Sequence, residues 1–145
     1  MAAKKAESDL VPMALGLKNM KDQDYATARE TFGQLNDVGV MVYLKPLLLA
    51  GVEAGDGKTD AAMAALALLK EKEEMATVHA LHSGLVLDHL GQGDEAEAKF
   101  RSSFTDNGGL MPRVADVLAA FYLRQTQTKQ KNKPLPTTNR QATNT

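Results

Sequence analysis

The chain has no cysteine and no tryptophan. Disulfides, thiolate nucleophiles and cysteine-ligated zinc are therefore excluded for it. Aromatic residues are only 5% of the 145, and no long β-branched run occurs, so strand formers are scarce. No apolar run approaches the roughly 18 residues of a membrane-spanning helix, and the opening MAAKKAESDL has no apolar core of signal-peptide length. The expectation is a soluble, cytoplasmic protein, unless the sequence is cut from a longer or exported one. A dense basic face is missing too. The last twenty residues carry Lys129, Lys131, Lys133 and Arg140 with no acid, and taking these four from 17 basic residues leaves 13 against 18 acidic ones in the rest. A mildly acidic body argues against nucleic acid as the main partner.

What is present is helical. Ala, Leu, Met, Glu and Lys dominate a composition that is 43% hydrophobic and 24% charged, which fits an all-α domain. Met1 to Ser8 is expected to fray, with Asp9 as N-cap and Pro12 in the first turn of a helix that carries Leu10, Met13, Leu17 and Met20. Asp24 is placed to cap a second helix, in which Tyr25, Ala28, Phe32 and Leu35 share a side. The pattern restarts with a mostly apolar helix over 41–54, and Thr59 or Asp60 can cap the next, with Ala62, Leu66 and Leu69 inward. Two further patterns, 78–90 and 95–104, flank a Gly-Gln-Gly-Asp break, and a closing helix over 110–125 has no partner helix of its own. Residues 126–145 lack apolar periodicity and are expected to form a disordered basic tail.

These pairs repeat in register. Gly16, Ala28 and Phe32 recur 34 residues later as Ala50, Ala62 and Leu66, and after another 34 as Gly84, Ala96 and Phe100. A glycine in mid-helix costs about 1 kcal/mol against alanine, so Gly16 and Gly84 call for a packing reason, which close helix approach supplies. The period, the helix-turn-helix unit and the Leu15-Gly16…Ala28…Phe32 grammar resemble the tetratricopeptide repeat. Phrases such as YLKPLLLAG are similar to repeat regions of bacterial tetratricopeptide proteins. The resemblance covers residues 9–125, as units 9–40, 43–74 and 77–108 plus the closing helix. It departs from the family where the opening aromatic is replaced by Pro12, Pro46 and Ala80, and the tyrosine by Asn19, Glu53 and Leu87.

The resemblance implies a right-handed α-α superhelix of three helix pairs with a C-terminal capping helix, whose first helices line a concave groove. The family's groove positions fall on Leu10, Met13, Leu17 and Met20, then Leu44, Leu47, Gly51 and Ala54, then Val78, Leu81, Leu85 and Asp88. The groove is apolar and lacks the Lys, Arg and Asn that clamp a peptide's terminal carboxylate in some members. An apolar surface of that size implies an occupant. The resemblance thus implies a protein-protein interaction module that takes a hydrophobic helical or extended segment of a protein or peptide partner, with Met13 and Met20 adapting to it. Self-association as a homo-oligomer, or a covering part of a longer chain, would also close the groove. The alternatives in function are a small secretion-type chaperone and a fragment of a longer repeat scaffold.

Other stretches imitate chemistry. Gly57-Lys58-Thr59 lacks the earlier glycine of a phosphate loop, because Val52 stands there and a helix precedes it. The DGKTD stretch places Lys58 and Ala61 where a calcium loop needs an oxygen ligand and a glycine. His79, His82 and His89 are the chain's three histidines, all on one helical stretch with Asp88, and a straight helix rarely converges three ligands on one ion. Asp88 is expected at the groove rim, meeting a basic group of the ligand. No nucleophile-base or paired-carboxylate constellation stands apart from the packing pattern, so neither catalysis nor a metal or cofactor is expected.

Overall fold

The computed structural model describes residues 2–105 and 111–133. Among them the chain forms seven α-helices and no strand: α1 (Ala2–Lys21), α2 (Tyr25–Gly33), α3 (Met41–Gly55), α4 (Thr59–Lys70), α5 (Ala76–His89), α6 (Gly93–Thr105) and α7 (Met111–Lys131). A short 3-10 turn over Glu73–Met75 leads into α5. Each helix packs on the next in sequence, and α3 also touches α5.

The 34-residue register governs the turns as well as the core. Gln23, Gly57 and Gly91 each adopt positive φ, at 61°, 75° and 79°. At each, two backbone bonds close the helix end in the same way. Gln23, Gly57 and Gly91 donate to the carbonyls of Met20, Ala54 and Asp88, while Asp24, Lys58 and Gln92 donate to those of Asn19, Glu53 and Leu87. This is the left-handed C-terminal cap that satisfies carbonyls left open at a helix end. Two copies use glycine, whereas Gln23 bears the steric penalty of that backbone region, about 1 kcal/mol. We expect Gln23→Gly to raise stability by up to about 1 kcal/mol and Gly57→Ala or Gly91→Ala to lower it by about 1–2 kcal/mol, read from urea midpoints.

Three apolar clusters stack along the chain. The first joins Ala28, Phe32 and Leu35 of the first pair to Val52 of α3, with Met13, Met20, Leu48 and Leu49 against them. The second joins Ala50, Ala54, Ala62, Leu66 and Leu69 to Val86 of α5, and the third joins Leu81, Leu87, Ala96 and Phe100 to Val114 and Phe121 of α7. Ala28, Ala62 and Ala96, and likewise Phe32, Leu66 and Phe100, are all fully buried. The mid-helix glycines serve the rings. A Cβ added at Gly16 would lie 2.3 Å from Phe32 Cε1, and one at Gly84 2.5 Å from Phe100 Cε1. In the middle unit Ala50 stands in place of glycine and the smaller Leu66 in place of the ring, so the two volumes change together.

Several boundaries differ from the sequence reading. The helical backbone of α1 begins at Ala2, so residues 2–8 belong to the helix rather than to a segment preceding it; Met1 itself lies outside the described residues. Asp9 is no cap: it is buried inside α1, and its carboxylate accepts from both the backbone N–H and the side-chain amide of Asn36, tying the loop after α2 to α1. Asp24 does cap α2, accepting the Thr27 N–H at 3.1 Å. The N-cap of α4 is Lys58 without a side-chain bond, which leaves Thr59 and Asp60 inside the first turn, where Asp60 meets the positive end of the helix dipole. The disordered tail does not start at 126, because α7 continues to Lys131. The hydroxyls of Thr126 and Thr128 donate to the carbonyls of Tyr122 and Arg124, and α7 is anchored by an ion pair from Arg124 to Asp88. Polar composition alone thus misreads a helix extended from an anchored base. Residues 106–110 and 134–145, and the expectations for them, lie outside the described residues.

Candidate functional site

The surface shared by α1, α3 and α5 owes its shape to short side chains. Ala50, Gly51, Ala54 and Gly55 follow one another at helical spacing on α3, so the backbone there is nearly bare. Around them opens a pocket of about 360 Å³, at the small end of the range that ligand sites occupy. Met20 and Tyr25 border it from the first pair, Leu47 from α3, and Leu85, His82 and His89 from α5, above a floor that includes Leu66 and Val86. The Tyr25 ring covers Gly55, where an added Cβ would come 2.4 Å from Tyr25 Cε1. Gly51 is different. A Cβ there meets only Met20 Cε, at an ordinary 3.5 Å, so a larger residue would grow into the pocket without striking backbone.

Of the twelve groove positions named from the sequence, Met20, Leu47, Gly51, Ala54 and Leu85 line this pocket. Leu10 and Leu17 stand exposed on α1, 60% and 51% open, while Met13 is drawn onto the first core. Leu44 and Val78 are half-buried outside the pocket, and Leu81 is buried in the third core beside Phe100. Asp88 faces α7, where Arg124 takes it, so the chain itself supplies the basic group that a ligand was expected to bring. On α5, His82 and His89 border the pocket together with Leu85, whereas Leu81 and Asp88 do not. Tyr25 and Gly55 were missed as well. The seven-residue spacing of the two histidines, which puts them on one helix face, is the signal that could have found the pair.

Burial holds the His82 imidazole below its usual value of 6.5, and Arg113 on α7 pushes the same way. His79 is lowered by burial first, then by Lys99 and Lys70. The unfolded chain therefore takes up protons near pH 6.5 that the folded chain refuses, so the folded state loses stability as pH falls. The melting temperature should drop between pH 7 and pH 5, above the range in which carboxylates titrate, and His82→Gln should flatten that slope. Equal slopes for wild type and variant would contradict this assignment.

His82 and His89 are seven residues apart, about 10 Å along the helix axis at 1.5 Å per residue, too far to share one metal ion. Among the described residues no group of three His, Asp or Glu comes together in an arrangement fit for a metal. No described helix is long and apolar enough to cross a membrane. Compared with protein-family models, with curated proteins and with solved structures, the chain matches none.

Proposed function

We propose that this chain is a tetratricopeptide-like repeat domain, a right-handed superhelix of three helix pairs closed by α7, and that it works by binding rather than catalysis. Its ligand is a hydrophobic helical or extended segment of a partner protein, held on the face shared by α1, α3 and α5. The identical left-handed turns at Gln23, Gly57 and Gly91 and the matching buried triads support the repeat. The observation that carries the binding reading is the open pocket at Gly51, bare at its centre and bordered by Met20, Leu47 and Leu85. Such a site fits one large apolar anchor, the way amphipathic helices dock into grooves. The test is a photo-crosslinking residue at Leu85, exposed to peptides selected from a random display library. Crosslinks to a large apolar residue, competed by the free peptide, are expected; crosslinks scattered along the peptides would count against the reading.

Self-association is a second reading, favoured by α1. Val11 and Leu15 are 63% and 51% exposed. Ala14 and Leu15 occupy the repeat positions of Leu48 and Leu49, which in α3 pack on the first core. Light scattering over a wide concentration range separates the readings: a dimer abolished by Leu15→Glu supports self-association, and a monomer throughout removes it.

A further inference from the structure

The pocket at Gly51 is apolar at its floor but not at its border. His82 and His89 both line it, and neither imidazole has a hydrogen bond or an ion pair among the described residues. No carboxylate lines it with them; Tyr25, from α2, is the other titratable group there. Three acids of neighbouring elements are engaged elsewhere. Asp88 is paired with Arg124 of α7, Glu53 of α3 with Arg29, and Asp56 with Arg29 and Lys58. From α7 the charge felt at His82 is that of Arg113, a cation. Two imidazoles without a partner among the described residues, with the charge of Arg113 felt at one of them and no carboxylate in the lining, make a border complementary to an anion.

We infer that the pocket reads an apolar anchor residue with a carboxylate close to it, and that His82, with His89 further along the same border, receives the carboxylate. The inference rests on the pocket binding a partner segment and specifies that segment: a large apolar residue with Asp or Glu within about one helical turn. An imidazolium-carboxylate hydrogen bond is charge-assisted and needs the proton that free His82, desolvated where it stands, gives up easily. Binding therefore takes up a proton, and affinity rises as pH falls. This differs from a clamp of lysines and arginines, whose charge is the same at pH 6 and pH 8.

The probes are two matched dipeptides, acetyl-Phe-Glu-amide and acetyl-Phe-Gln-amide, titrated into the full chain while the imidazole C–H resonances are followed by NMR at pH 8.0, 7.0 and 6.0. We expect the Glu peptide to bind about five- to tenfold more tightly at pH 6.0 than at pH 8.0 and to raise the apparent pKa of His82. The Gln peptide should bind more weakly and without that dependence, and His82→Gln should remove most of the difference between the two. If both peptides bind alike at every pH while Gly51→Leu blocks both, the histidine inference is overturned and the anchor pocket stands. If neither peptide perturbs resonances of the pocket at any pH, the inference fails together with the anchor pocket beneath it.

Discussion

Gly84→Leu is expected to cost the fold at least about 1–3 kcal/mol, the range for forcing extra carbons into a packed core. Two effects oppose each other. Removing a mid-helix glycine should gain about 1 kcal/mol of helix propensity. Against this, the new Cβ alone would lie 2.5 Å from Phe100 Cε1 and 3.1 Å from Cζ, and leucine adds three further carbons. The ring has no room to yield. Phe100 is fully buried and meets Phe121 edge-on at a centroid distance of 5.4 Å, with Leu81 and Val114 in the same cluster. Against a typical total stability of 5–15 kcal/mol, the loss should show as a clear fall in the urea midpoint. The middle unit offers a rescue, since Ala50 and Leu66 are its version of the same pair. Gly84→Ala combined with Phe100→Leu should therefore be more stable than the two single losses sum to, by about 0.5–3 kcal/mol of coupling. A midpoint for Gly84→Leu equal to that of wild type would refute the packing account.

Phe100→Ala should be the costliest single truncation, about 3–5 kcal/mol. The ring joins three helices: it fills the hollow over Gly84 on α5, belongs to α6, and carries Phe121 of α7 on its edge. Its removal should also loosen α7, so hydrogen exchange should quicken around Val114 and Phe121 before it does in α1 and α2. Phe32→Ala should cost a similar amount, because Phe32 stands over Gly16 as Phe100 stands over Gly84. A loss of less than about 1 kcal/mol for Phe100→Ala would mean that the third cluster is not organised around this ring.

The helix pairs and their register were legible in the sequence because burial there depends on residue size at fixed spacing, and Gly16, Ala28 and Phe32 carry that pattern openly. The shared turn was only partly legible. Gly57 and Gly91 announce a left-handed residue, whereas Gln23 does not, and only the backbone reveals the third copy. Asp9 misled because a short acid before an apolar stripe signals a cap, while its actual partner, Asn36, is distant in sequence. On α5 the groove positions that the repeat resemblance implies include Leu81 and Asp88, whereas His82 and His89, one residue further on, line the pocket. Helix rotation of that size is set by tertiary packing, here by Phe100 against Gly84 and by Arg124 on Asp88.

The central claim is that the bare centre of α3 receives a partner's apolar side chain, and Gly51→Leu tests it with little risk to the fold, since the added Cβ touches only Met20 Cε at 3.5 Å. A display-selected apolar peptide would be titrated calorimetrically into wild type and Gly51→Leu, with melting curves of both taken in the same buffer. The account predicts an unchanged or slightly higher melting temperature for Gly51→Leu, with affinity reduced at least about tenfold, or roughly 1.4 kcal/mol. Undiminished binding by a folded Gly51→Leu protein would contradict it.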